Sequence, residues 1–334
     1  MTLFELTKRL ITIPSISGEE RNIADFLADY LRGLGFEVEL QEAVYRRPNI
    51  YAKHGEPKVV MSTHIDTVPP YVELREDDSF IYGRGACDTK GIIAAMIEAS
   101  RTLIESGVAD FGLLLLVGEE AGSVGAKVAN SIPNTCRYLI NGEPTESKLA
   151  LGSKGAVRAV LKTQGRAAHS AYPQLGESAV NKLLDLLSDL RNTSLPTDKT
   201  LGETTMNIGM ISGGVAANVI APQAEAEVML RVVTSADSLK REIERIIDGR
   251  AQIDYTFACD PVFTEPLDGF ETTVVSFTTD IPMLSNWGKP LLFGPGSILD
   301  AHTAGEKIAK NDLSKAVDSY VDMVKRLKER LENE

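Results

Sequence analysis

At 334 residues the chain can bury one large core or two, and a 43% hydrophobic, 25% charged composition is that of a globular protein, not a disordered one. Its net charge of −12 comes without a basic cluster, which argues against nucleic acid as a partner. No apolar run approaches the roughly 20 residues that span a bilayer, and charges interrupt the opening MTLFELTKRL, so neither a membrane partner nor a signal peptide is expected and the expected location is cytoplasmic.

Three dispersed cysteines, Cys87, Cys136 and Cys259, make neither a disulfide framework nor a cysteine-rich zinc site. Only four histidines are present, His54, His64, His169 and His302, so any metal site must lean on carboxylates. His54 has no surrounding motif and reads as an exposed residue.

Thr2 and Glu5 have the spacing of a capping box, and Leu3, Leu6, Leu10 and Ile11 repeat at helical spacing up to the stop at Ile13-Pro14. Ser17 with Glu20 reads as the start of a second helix, ending near Gly33. Strands are expected over 36–40, 49–52 and 59–62. The last of these delivers His64 and Asp66, which share one side of a strand end because side chains alternate. The turn Gly83-Arg84-Gly85 then presents Asp88 ahead of a helix over 92–103. Residues 112–117 are continuously apolar, as a strand buried on both faces would be, and run into Glu119-Glu120. A helix over 124–130 and a strand over 138–140 lead to Glu143. Strands alternating with helices predict an α/β fold with a mostly parallel sheet and helices on both faces.

Near Gly152 the rhythm changes. A strand over 156–163, a helix over 177–190, strands over 205–211 and 224–233, a helix over 235–247 and a strand over 252–258 give the β-α-β-β-α-β order of a ferredoxin-like α+β module. The α/β pattern resumes after about Pro261, with strands over 273–277 and 290–293 and a C-terminal helix over 313–331. The expected organisation is a catalytic domain of residues 1–152 and 261–334, interrupted by an inserted domain of residues 153–260.

His64 alone reads as a structural histidine, Asp88 alone as a helix cap, and Glu119-Glu120 as a solvated pair at a sheet edge. Their convergence suggests more. His64, Asp88, Glu119, Glu120 and Glu143 all follow expected strands of one sheet, whose ends line a common crevice in parallel α/β folds. Consecutive glutamates after a buried strand are costly unless a cation offsets them.

The segments HID (64–66), GRGACDTKG (83–91), GEEAGSVGA (118–126), NGEPT (141–145), GRAAHSAYP (165–173), GGVAANVIAP (213–222) and FGPGSILDAHTAGE (293–306) resemble, in order, the motifs of the aminoacylase and acetylornithine deacetylase family. That family of dinuclear zinc amidohydrolases and peptidases includes succinyl-diaminopimelate desuccinylase and glutamate carboxypeptidase. The resemblance implies that Asp88 bridges two divalent metal ions, Zn2+ first and Co2+ or Mn2+ as alternatives. His64 and Glu143 would complete one ion's ligands, and Glu120 and His302 the other's. Glu119 would be the general base, with Asp66 orienting His64. His169 would stabilise an oxyanion, in dimeric relatives from the neighbouring subunit. Asn218 and Arg231 match substrate-binding positions, and the turn containing Gly294 and Gly296 would let substrate approach the backbone. The inserted domain would serve as lid and dimerisation module.

The first functional reading is therefore a metal-dependent deacetylase of an N-acyl amino acid, of the N-acetylornithine or N-acetylcitrulline type found in arginine biosynthesis. The alternatives are a dipeptidase, a carboxypeptidase, a hydrolase releasing lysine or ornithine from an amino-group carrier protein, and a catalytically silent metal-stabilised binding protein. Thr279-Asp280 departs from the Glu-Ala pair that such deacetylases often carry there, which leaves the accepted side chain open.

Overall fold

The structure, a computed structural model, describes residues 1–333. In chain order its principal elements are α1 (Leu3–Ile11), α2 (Arg21–Gly33), β1 (Glu37–Val44), β2 (Arg47–His54), β3 (Val59–His64), α3 (Lys90–Glu105), β4 (Phe111–Leu116), α4 (Val124–Ala129), β5 (Tyr138–Asn141) and β6 (Leu149–Ser153). There follow β7 (Gly155–Gln164), α5 (Ala179–Asn192), β8 (Thr205–Gly213), β9 (Gln223–Val232), α6 (Ala236–Ile247), β10 (Gln252–Cys259), β11 (Lys289–Leu292) and α7 (Lys310–Glu332). The chain divides into two compact units, one of residues 1–151, 263–273 and 279–334, the other of residues 152–262 and 274–278. Among the described residues no helix is long and apolar enough to cross a membrane.

The first unit is built on a mixed sheet whose main path runs β1-β2-β4-β3-β5-β11-β6 before the short strand Val262–Phe263. Its centre, β4, β3, β5 and β11, is parallel, and the flanking pairs are antiparallel. The alternation of strands and helices foretold the parallel centre. The β1–β2 hairpin adds the antiparallel edge. Helix α3 is apolar on nearly every face, from Ile92 and Ile93 through Ala94, Ala95, Met96 and Ile97. A helix of that kind belongs inside, and it packs beside α1 and α7 over the sheet. The Thr2–Glu5 capping box forms as expected. Ser17 does not cap α2. That helix begins one residue after Glu20, and the Glu20 carboxylate instead pairs with Arg47 at 2.6 Å while the Ser17 hydroxyl donates elsewhere. His54 is half-buried between the rings of Phe36 and Phe111 instead of exposed, because strand β2 points it under the N-terminal layer.

The second unit has the element order expected for a ferredoxin-like module, with a four-stranded antiparallel sheet ordered β8-β9-β7-β10. Helices α5 and α6 bury Leu183, Leu186, Leu190, Leu239 and Ile243 against Val157, Leu161, Val228 and Leu230. Both helices open on a serine, Ser178 and Ser235, whose hydroxyl accepts an N–H from the residue three positions on.

Candidate metal centre

The parallel registers bring the strand ends level. His64 stands opposite Leu116, and Asn141 opposite both Ser62 and Leu292, so the segments after β3, β4, β5 and β11 leave the sheet on one side. That common edge carries His64, Glu119, Glu120 and Glu143, and the turn before α3 adds Asp88. This is why residues as far apart as His64 and Glu143 meet: a parallel sheet collects its carboxyl ends on one edge.

Two groups of potential ligands form there. His64, Asp88 and Glu143 make one, and Asp88, Glu120 and His302 the other, with the ligand atoms of each group within 4.8 Å of one another. Asp88 belongs to both. Its Oδ1 lies 2.9 Å from His64 Nε2 and its Oδ2 3.2 Å from His302 Nε2, while His302 Nε2 lies 2.7 Å from Glu120 Oε1. His64 Nε2 and Glu143 Oε2 are 4.0 Å apart.

His64 Nδ1 lies 3.0 Å from the Asp66 carbonyl oxygen, which can only accept, so Nδ1 carries a proton and Nε2 is the nitrogen that faces the crevice as a ligand once it is deprotonated. The Asp66 carboxylate does a second task. Its Oδ1 accepts the backbone N–H of Glu119 at 3.1 Å, and its Oδ2 accepts that of Glu120 at 3.3 Å and the Ser17 hydroxyl at 2.6 Å. Asp66 thus ties the His64 strand end to the Glu119-Glu120 turn. The role of Ser17 had no signal in the sequence, since it lies 49 residues from its partner.

The electrostatics favour cations. Burial would lower the His64 pKa, yet the bonds to Asp66 and Asp88 raise it well above its ordinary value, and bonds to Asp88 and Glu120 raise His302 to about 10. Burial pushes the Glu119 and Glu143 carboxyls well up, with neighbouring carboxylates adding to the shift. Asp88 goes the other way, because the two imidazoles outweigh its burial. Glu143 Oε1 is buried with no hydrogen-bond partner among the described residues. An orphaned carboxylate oxygen, a shared aspartate and several buried carboxylates with no fixed cation beside them among the described residues fit two divalent cations, which would take the place of the imidazole protons, and the oxygen and nitrogen donors suit Zn2+, Co2+ or Mn2+. The same edge holds a carboxyl that the motifs passed over. Asp280 is fully buried, pushed up to about 6 by that burial, and close enough to Glu119 and Glu143 to raise both.

The glycine turn is also packed closely against its own chain. A Cβ on Gly294 would fall 2.4 Å from the carbonyl oxygen of Glu143, and one on Gly296, at φ +83°, 2.6 Å from Cys87 Sγ. The two glycines thus let the turn seat against the Glu143 and Asp88 segments.

In the second unit the loops carrying His169 and Asn218 lie side by side: Ser170 N–H donates to the Asn218 carbonyl at 3.0 Å, and His169 pairs with Val219. Both side chains' residues are exposed. His169 Nδ1 accepts the Ala171 N–H at 3.1 Å, which leaves Nε2–H as a free-standing donor. Arg231 is not with them. It is the penultimate residue of β9, opposite Thr205 and Ala156, and eight strand positions from Gln223, roughly 26 Å at an extended chain's rise.

Residues 151–254 match the model of the peptidase dimerisation domain. A peptidase M20 domain-containing protein of Schizosaccharomyces pombe is 40% identical, over 96% of this chain and 84% of its own length. A probable carboxypeptidase of Aspergillus flavus is 36% identical, over 96% and 89%. Among solved structures, a tripeptidase of Staphylococcus aureus superposes with a TM-score of 0.82 at 22% identity, covering 96% of this chain and 95% of that one. An M20 family metallo-carboxypeptidase of Sulfolobus solfataricus gives 0.76 at 17%, covering 96% and 97%. With its metal-ligand groups gathered on a parallel-sheet edge and its ferredoxin-like module matching the dimerisation domain, the chain belongs to the M20 peptidase family of metal-dependent hydrolases.

Proposed function

We propose that this enzyme hydrolyses the amide bond that joins an acyl or peptidyl group to the nitrogen of a free amino acid, as a carboxypeptidase or dipeptidase acting on short peptides. The observation that carries this reading is the pair of ligand groups sharing Asp88, with Glu119 on the same edge but outside both. Two divalent cations held there would polarise the scissile carbonyl and acidify an attacking water. Glu119, outside both ligand groups, would be free to take a proton from an attacking water and pass it to the leaving amine, a transfer that a ligating carboxylate could not make. Asp66 holds Glu119's backbone, and hence its carboxyl, in place. His169, with Nε2–H free to donate, is our candidate for the oxyanion donor with Asn218 its neighbour, both supplied by the neighbouring subunit of the inferred dimer, and Arg231, of the same chain as the metal ligands, is a fork for the substrate carboxylate.

The name of the fungal relative, probable carboxypeptidase, and those of the tripeptidase and metallo-carboxypeptidase structures support a peptide substrate. N-acetylornithine and N-acetylcitrulline belong to the same chemical class, an acylated amino acid with a free carboxylate, and stay as the second reading on the strength of the motif resemblance. A silent binding protein would have no use for Glu119. We further infer a homodimer through the second unit, from the dimerisation-domain match, and a cytoplasmic location, with which three buried free cysteines agree.

The test is a panel of dipeptides, tripeptides and N-acyl amino acids, scored for released amine with Zn2+- and Co2+-loaded enzyme. Release of the C-terminal residue from short peptides, faster than deacetylation, is expected. Faster turnover of N-acetylornithine would reverse the order, and no turnover of any member with both metals bound would sink the reading.

A further inference from the structure

The segments that carry Asp88 and His302 also carry Arg84 and Glu306, which neither the ligand groups nor the base account for. Both are buried, at 2% and 1% exposure. Arg84 Nη1 donates to Glu306 Oε2 at 2.5 Å, and Arg84 Nε to the Pro70 carbonyl at 3.1 Å. Glu306 Oε1 accepts two consecutive backbone N–H groups, those of Cys87 and Asp88, each at 3.1 Å. The main chain repeats the tie, Gly83 N–H donating to the Glu306 carbonyl at 3.0 Å.

Stability alone does not explain such a pair, because well-packed apolar residues often replace a buried ion pair without loss. What the carboxylate uniquely does is join two segments. On its other side Asp88 is tied to the first ligand group, through His64 and through Thr89 Oγ1, which donates to the His64 carbonyl at 2.6 Å. Glu306 supplies a charged side-chain tie to the segment of His302, four residues upstream, beside the weaker bond from Cys87 Sγ to the Ser297 carbonyl at 3.3 Å. His302 sits at φ +62°, a left-handed conformation uncommon outside glycine, which persists only where the surroundings hold it.

We propose that Glu306, held by Arg84, is a positioning residue that sets the spacing between the Asp88 turn and the His302 segment, and so maintains the Asp88–Glu120–His302 metal position selectively over the His64–Asp88–Glu143 one. This rests on the two-metal reading above. The experiment is stepwise Zn2+ titration of chelator-stripped enzyme by calorimetry, with Co2+ absorption spectra as a probe of coordination geometry, for the natural protein, Glu306→Gln and Glu306→Asp. The expected result is one binding step weakened 10- to 100-fold, the range for lost outer partners of metal ligands, with the other step changed by no more than about threefold. The Co2+ bands of the weakened step should shift while those of the other stay.

Equal affinities in all three proteins, both steps weakening together with a lower melting temperature, or failure of both variants to fold would each overturn the proposal in favour of a structural ion pair. A natural protein that binds fewer than two ions would instead refute the two-metal reading, and the proposal with it.

Discussion

Glu119 and Glu120 leave the same strand on consecutive residues, yet only Glu120 reaches His302, at 2.7 Å, and only Glu120 belongs to a ligand group. Asp66 anchors the turn that presents both, accepting the two backbone N–H groups on its two oxygens. Glu119→Gln should keep both metals by elemental analysis and lose about 10²–10⁴-fold in kcat, the usual worth of a positioned proton-transfer group. Glu120→Gln should weaken one of the two metal positions, that of Asp88, Glu120 and His302. An exchange of the two phenotypes would exchange the roles. Asp66→Asn replaces a double acceptor by a group with one acceptor oxygen. It should weaken metal binding by about 10–100-fold, read by competition with a chromophoric chelator. Unchanged affinity would show that the carbonyl of residue 66 alone orients His64.

At the scale of elements, the ligands are presented by strand ends and steadied by turns that pack without clearance. The turn after β11 meets the Glu143 segment through Thr145 N–H to the Gly294 carbonyl at 3.1 Å and Gly294 N–H to Thr145 Oγ1 at 3.0 Å. Gly294→Ala would push a methyl to 2.4 Å from a backbone oxygen that has nowhere to go. A loss of about 1–3 kcal/mol in urea unfolding is expected, as for overpacking elsewhere. Gly33→Ala, at a position where a Cβ meets nothing within 4 Å, is the control and should be neutral or stabilising by up to about 1 kcal/mol. Equal losses in both would mean that backbone freedom, not contact, decides.

For the whole molecule, the second unit offers an edge on which two copies could pair. The edge strand β8 of the second unit exposes Met210 and Ile211, at 67% and 54%, beside an unpaired row of backbone groups. Natural proteins seldom leave such an edge bare. Light scattering should give twice the chain mass at micromolar concentration. Met210→Lys combined with Ile211→Lys should give the monomer with its metal content intact. A natural protein that runs as a monomer at every concentration would remove the dimer inference.

The sequence by itself determined the element order of both units and pointed to the strand-end residues that the fold gathers into candidate ligand groups. Apolar runs such as 112–117 and the glycine-framed segments around Asp88 and His302 are local patterns, and a parallel sheet converts strand-end residues into neighbours by a general rule. What depended on contacts between distant segments was decided only by the tertiary structure. Ser17 reads locally as a cap, but burial of Asp66 gives its hydroxyl a stronger acceptor. His54 reads as exposed until Phe36 and Phe111 close over it. Arg84 and Glu306 are unremarkable charges until the fold buries them against each other, 222 residues apart. Buried polar groups must find partners, and the partner is chosen by proximity in space, on which sequence spacing is silent.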